Sequence, residues 1–148
     1  MPDITHHFGF AAPKADVFEA LATVEGLTSW WAERVEGDPS PGGTLRFYFG
    51  NPGPAATMQV VESDPDTGVK WRCVRGPDDW LETTVTFELD SHDGETILRF
   101  THGGFESTTD FMRHCSAKWP IYLIGLKAGL EGGKATPWPT DPRISTWG

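Results

Sequence analysis

The sequence has 148 residues, a formal net charge of −9, and an aromatic content of 12%. Its hydrophobic content of 38% is too high for a disordered acidic chain, and its length suits one domain. The acidic balance argues against nucleic acid as a partner, because nucleic-acid binding depends on clustered Lys and Arg.

Signals for other compartments are absent from the sequence. Residues 1–5 lack the basic start and apolar stretch of a secretory signal. No apolar run of about 18 residues exists, so no membrane span is predicted. The two cysteines, Cys73 and Cys115, are far apart and are expected to be reduced and buried. These features predict a cytoplasmic protein.

The first third of the chain predicts a strand and two short helices. Residues 4–10 alternate as a strand does. Pro13 stands where a first helical turn tolerates it, and residues 17–21 follow at helical spacing. Gly26 is expected to break the helix, after which residues 27–31 repeat the helical pattern.

From residue 33 onward, the hydrophobic period changes to two, which is typical of strands with one buried face. Turns rich in Gly, Pro and Asp recur every 10 to 15 residues and divide this region into an antiparallel meander. The predicted strands span residues 45–49, 57–62, 69–75, 81–89 and 96–102.

The last predicted element is one long helix. Ser107, Thr108 or Thr109 can cap its start, and Gly132–Gly133 ends it. Pro120 lies inside it and removes one backbone hydrogen bond. One apolar stripe runs along the helix and consists of Cys115, Trp119, Tyr122, Leu126 and Leu130.

The tail after the helix, residues 135–148, contains three prolines together with Trp138 and Trp147. The two indoles predict that this irregular segment packs on the body of the protein. We therefore expect one domain over residues 1–134 and a packed tail over residues 135–148.

The order of elements predicts an α+β fold in which the long helix covers one face of a curved sheet. Several segments, among them PGGTLRF (41–47), TVTFEL (84–89) and THGGF (101–105), occur in the order seen in the START-like, or SRPBCC, helix-grip superfamily. Within it, the chain most resembles the branch of activator of heat-shock protein 90 ATPase homologues. The other matching segments are residues 12–13, 17–21, 27–31, 60–65, 96–100 and 119–126.

This resemblance implies a helix-grip fold: a curved antiparallel sheet wrapped around a long C-terminal helix, with two short helices after the first strand. It specifies fold rather than chemistry, since the superfamily includes lipid carriers, hormone receptors and cyclases. The activator that names the branch has a separate N-terminal chaperone-binding domain, whereas this sequence begins at the first strand. A chaperone partner is therefore not expected, and a homodimer is left open.

The candidate site follows from the residues predicted to face one another between sheet and helix. In the resemblance these positions line a pocket, and the alternative is that they fill the space at normal density. Consecutive helix residues point about 100° apart, so one of Trp30 and Trp31 is expected to enter the interior while the other covers the end of the sheet or borders a cavity; the alternative is that both simply pack in the core. The candidate lining residues are Trp31, Phe47, Phe49, Trp71, Cys73, Phe100, His102, Cys115, Trp119, Tyr122 and Leu126.

Three functions are compatible with such a site. The leading hypothesis is binding of a small apolar or aromatic molecule. The second is an enzyme of the cyclase, dehydratase or hydrolase type, with His102 or Tyr122 as acid or base. The third is a chaperone-partner or regulatory module, which requires an exposed apolar patch. No metal site is predicted, because His6 and His7 point to opposite faces of a strand, His114 and Cys115 face different directions on a helix, and no spacing resembles a structural zinc site. No cofactor is predicted either, since no Gly-rich phosphate loop follows a strand and opens a helix.

Overall fold

Most of the chain forms one curved sheet and the long helix that covers it. The computed structural model describes residues 1–148. The strands are β1 (Ile4–Phe10), β2 (Arg34–Gly37), β3 (Thr44–Tyr48), β4 (Ala56–Asp64), β5 (Gly68–Arg75), β6 (Thr84–His92) and β7 (Glu95–Gly103). The helices are α1 (Lys14–Ala22), α2 (Val24–Trp30) and α3 (Asp110–Leu130). The seven strands pair antiparallel in the order β1-β7-β6-β5-β4-β3-β2, which confirms the α+β helix-grip fold.

The apolar residues that alternate along the strands form the inner face of the sheet. In the β6–β7 register, Phe87 lies opposite Phe100 and Val85 lies opposite His102, and all four side chains are buried. The buried stripe of α3 covers this face. The hydrophobic side chains of sheet and helix therefore form one continuous core.

Two predicted boundaries are wrong. The break between α1 and α2 falls at Thr23, not at Gly26: the Thr23 hydroxyl accepts the Gly26 N–H at 2.9 Å and so caps α2. Gly26 lies inside α2, where a Cβ would stand 2.5 Å from the Glu19 carbonyl oxygen of α1. Its missing side chain thus permits close packing of the two helices rather than ending one.

The strand predicted from residue 81 begins at Thr84. A short 3₁₀ turn over Asp78–Trp80 precedes it, and Glu82 has a φ of 66°, which is incompatible with a strand. Strand β2, which the sequence pattern did not reveal, is a four-residue edge strand paired with β3.

Helix α3 starts where the capping residues predict, with the Thr109 hydroxyl accepting the Met112 N–H at 3.0 Å. It continues through Pro120, whose missing N–H leaves the carbonyl of Ser116 without its helical partner. Nε2 of His6 in β1 lies 3.2 Å from that carbonyl oxygen and supplies the missing donor. Neither α3 nor the two shorter helices are long and apolar enough to cross a membrane.

Candidate ligand-binding cleft

The centre of the core is a cluster of aromatic rings around Trp31. Its ring centroid lies 4.4 Å from that of Phe47, 4.9 Å from that of Trp119 and 5.9 Å from that of Trp71. Both consecutive tryptophans after α1 are buried, but only Trp31 borders open space. Trp30 lies deeper, where its indole N–H donates to the carbonyl of Ala20 at 2.9 Å.

The imidazole of His102 is fully buried and both of its nitrogens are occupied. The indole N–H of Trp119 donates to Nδ1 at 3.1 Å, which places the ring proton on Nε2. Nε2 then donates to Oγ1 of Thr83 at 2.9 Å, and this hydroxyl donates to the Trp80 carbonyl at 2.6 Å. Burial lowers the pKa of His102 to about 3, so the ring is neutral at physiological pH.

The two thiols are equally unsuited to reaction. Cys73 and Cys115 are free and buried. Burial raises the pKa of each thiol to about 11, so almost no thiolate is present at neutral pH.

An open cleft of about 440 Å³ lies beside this core, between the end of the sheet, α3 and the C-terminal tail. The sheet side and its loops contribute Trp31, Phe49, Ala55, Ala56, Pro77 and Trp80. Helix α3 contributes Phe111, His114, Cys115, Lys118, Trp119 and Tyr122. The tail contributes Trp138, Pro139, Asp141, Arg143, Trp147 and Gly148.

The predicted site residues divide into two groups. The structure brings five of them together around the cleft: Trp31, Phe49, Cys115, Trp119 and Tyr122. The other six are packed elsewhere in or against the core and do not line it: Phe47, Trp71, Cys73, Phe100, His102 and Leu126. The space between sheet and helix is thus mostly filled, and the opening lies at its edge.

Polar side chains of α3 hold the tail in place, and two of them, His114 and Lys118, were not among the predicted site residues. His114, Lys118 and Tyr122 are four residues apart and therefore share one face of the helix. Lys118 pairs with Asp141, and its Nζ also donates to the carbonyls of Pro142 at 2.7 Å and Gly148 at 3.1 Å. All three protons of its ammonium group are therefore engaged by the tail.

The other two members of this face add further contacts. The Tyr122 hydroxyl donates to Oδ2 of Asp141 at 3.0 Å. Burial, reinforced by the charge of Asp141, raises the pKa of Tyr122 above its ordinary value. Nδ1 of His114 lies 2.6 Å from the hydroxyl of Ser145, and burial followed by the charge of Lys118 lowers the pKa of His114.

The two tryptophans of the tail also contact the rest of the protein. The backbone N–H of Trp138 donates to the carbonyl of Trp31 at 2.9 Å. The Trp138 ring lies directly on Gly50, where a Cβ would stand 2.5 Å from the ring, and Gly50 has a φ of 89°. Glycine is required there on both counts. The exposed ring of Trp147 packs edge-on against Phe111, with centroids 5.3 Å apart.

The chemistry of this cleft favours binding of flat apolar groups. Eight of its 18 lining residues are Trp, Phe or Tyr, and its volume falls within the range of about 300–1,000 Å³ typical of small-molecule sites. No group of three or more His, Cys, Asp or Glu side chains is placed to hold a metal ion.

Comparisons with known proteins give a consistent result. Residues 11–131 match the model of the family described as "Activator of Hsp90 ATPase homolog 1-like protein". The solution structure of the Aha1 dimer from Colwellia psychrerythraea is similar, with a TM-score of 0.83 and 35% identity, over 91% of this chain and 100% of that one. No curated protein sequence matches significantly.

Two further solved structures share the fold at lower identity. CalU16 from Micromonospora echinospora has a TM-score of 0.74 and 17% identity, over 90% of this chain and 76% of that one. A protein from Staphylococcus saprophyticus has the same TM-score and identity, over 92% of this chain and 98% of that one. The matched family region ends at residue 131, so the tail that forms one wall of the cleft lies outside it.

Proposed function

The chain belongs to the family of activator of Hsp90 ATPase homolog 1-like proteins, and we propose that it binds a small aromatic molecule in the cleft between sheet, α3 and tail. The observation that carries this proposal is the cleft itself, with its volume of about 440 Å³ and its walls of indole and phenyl rings. Aromatic walls favour a planar guest, since offset and edge-to-face ring contacts add to the burial of apolar surface.

The enzymatic alternative has less support in this geometry. His102 does not reach the cleft, and neither of its nitrogens is free to take or give a proton. The Tyr122 hydroxyl lines the cleft but is held by Asp141, and its raised pKa keeps it protonated at neutral pH. Binding without catalysis is therefore the function that we propose.

A calorimetric titration with the neutral probe 2-naphthalenemethanol tests the proposal. The wild type is expected to bind it with a single site. Ala55→Trp should abolish binding, because the new indole would occupy the cleft without removing a core side chain. Val61→Trp is the matched control: Val61 is exposed on β4 and does not line the cleft, so this variant should bind like the wild type. No binding, or equal binding by all three proteins, would contradict the proposal.

We also propose a homodimer, supported by the dimeric Colwellia relative at 35% identity. Sedimentation velocity over a range of protein concentrations is expected to give a mass of twice 16.3 kDa. A single monomeric species at all concentrations would refute it. The proposed location is the cytoplasm, and the two free, buried thiols support it.

A further inference from the structure

Two cationic side chains, Lys118 and Arg143, line the cleft. Lys118 and Asp141 compensate each other, and the ammonium group of Lys118 has no proton left for a ligand. Arg143 lines the same cleft, is exposed, and forms neither an ion pair nor a side-chain hydrogen bond. Its guanidinium group is therefore the one cation of the cleft that is free to meet a ligand.

The other titratable side chains of the cleft add no charge at neutral pH. His114 is bonded to Ser145, and burial lowers its pKa. The phenol of Tyr122 and the thiol of Cys115 both have raised pKa values. The guanidinium group of Arg143 is thus the one unpaired charge among the side chains that line the cleft, on a chain whose formal net charge is −9.

We propose that the ligand is an aromatic carboxylate, whose ring lies between the aromatic walls and whose anionic group meets Arg143. This inference rests on the proposed binding function and specifies its ligand class. A guanidinium group presents paired N–H donors that match the two oxygens of a carboxylate, which favours a bidentate contact. Elsewhere on the surface the acidic excess repels an anion, so the charge of Arg143 also guides the ligand to this edge of the molecule.

The position of Arg143 sets the size of the effect. Because it lies at the exposed rim of the cleft, its contribution is screened by salt and is smaller than that of a buried ion pair. We expect a carboxylate to bind about three- to tenfold more tightly than the neutral alcohol with the same ring.

The test measures the affinity of two probes, 2-naphthoic acid and 2-naphthalenemethanol, for two proteins, the wild type and Arg143→Gln. All four affinities are measured by calorimetry at low ionic strength. The wild type should prefer 2-naphthoate, and R143Q should lose that preference without change in its affinity for the alcohol. Raising the salt concentration should weaken naphthoate binding to the wild type but not to R143Q. Arg113→Gln is the matched control, since Arg113 is an exposed arginine of α3 outside the cleft.

The outcomes separate this inference from the function on which it rests. If both probes bind the wild type equally, or if R143Q keeps the preference, the carboxylate assignment is overturned while the aromatic-binding function stands. If R113Q loses the preference as R143Q does, the effect is one of overall charge and the assignment is also overturned. If neither probe binds, both proposals fail.

Discussion

Lys118→Met tests the claim that polar groups of α3 hold the tail in place as one wall of the cleft. The Lys118 side chain is 12% exposed and that of Asp141 only 3%, so the substitution leaves a buried carboxylate with Tyr122 as its remaining side-chain partner. Removing one partner of a buried ion pair costs about 3–5 kcal/mol. If the tail detaches from α3, the Asp141 carboxylate returns to solvent and this cost is avoided. We therefore expect release of residues 135–148 rather than unfolding of the domain.

The magnitude is measurable by amide hydrogen exchange. A loss of about 3 kcal/mol shifts the docking equilibrium of the tail by roughly a hundredfold, since each 1.4 kcal/mol is a factor of ten. The amide of Trp138, which donates to Trp31, should therefore exchange much faster in K118M, whereas amides of β6 and β7 should not change. This pattern separates local release from global destabilisation.

Two further variants control the experiment. Lys127→Met removes a more exposed ion pair of the same helix, with Glu131, together with the hydrogen bond from Nζ to the Gly9 carbonyl at 2.6 Å, and should cost about 1–2 kcal/mol without affecting the tail. The double variant Lys118→Met/Asp141→Leu removes both buried charges and should retain the tail better than K118M alone. The reasoning is refuted if K118M leaves exchange in the tail unchanged, or if core amides accelerate as much as those of the tail.

Two other predictions concern the buried His102 and the half-buried His6. Lowering the pH from 6.5 to 4.5 should reduce the free energy of unfolding by about 2–3 kcal/mol through His102 alone. In this range the imidazole takes up a proton in the unfolded chain, whereas the buried ring of the folded protein stays neutral until about pH 3. His102→Asn should therefore flatten the acid branch of the stability curve measured by urea unfolding, and an unchanged branch would count against the buried neutral ring. His6→Phe should destabilise the protein by about 1 kcal/mol, because Ser116 loses its donor. Pro120→Ala, which restores a helical N–H, should stabilise H6F more than the wild type; equal effects in both backgrounds would contradict the pairing.

The fold could be predicted because its signals are local and repeated. Period-two alternation from residue 44 to residue 102 and the apolar stripe of α3 each specify which side faces the core. The errors lie where packing between elements overrides a local signal. Gly26 looks like a helix break in the sequence, but its function is to let α2 approach Glu19 of α1.

The cleft was only partly predictable for a related reason. Alternation shows that Phe47, Trp71 and Phe100 point inward, but not whether neighbouring rings fill the space around them. The tail residues Asp141 and Arg143 have no periodic pattern, so their position depends entirely on contacts made across the fold. The four-residue spacing of the polar groups on α3 was a readable signal, yet it does not specify what they bind.

The central claim is that the cleft accepts an aromatic guest, and the indole N–H resonances of the seven tryptophans test it most directly. On titration with 2-naphthalenemethanol, the signals of the cleft tryptophans, Trp31, Trp80, Trp119, Trp138 and Trp147, are expected to shift. Those of Trp30 and Trp71, which do not line the cleft, should stay in place. Shifts confined to Trp30 and Trp71, or no shifts at all, would contradict the account.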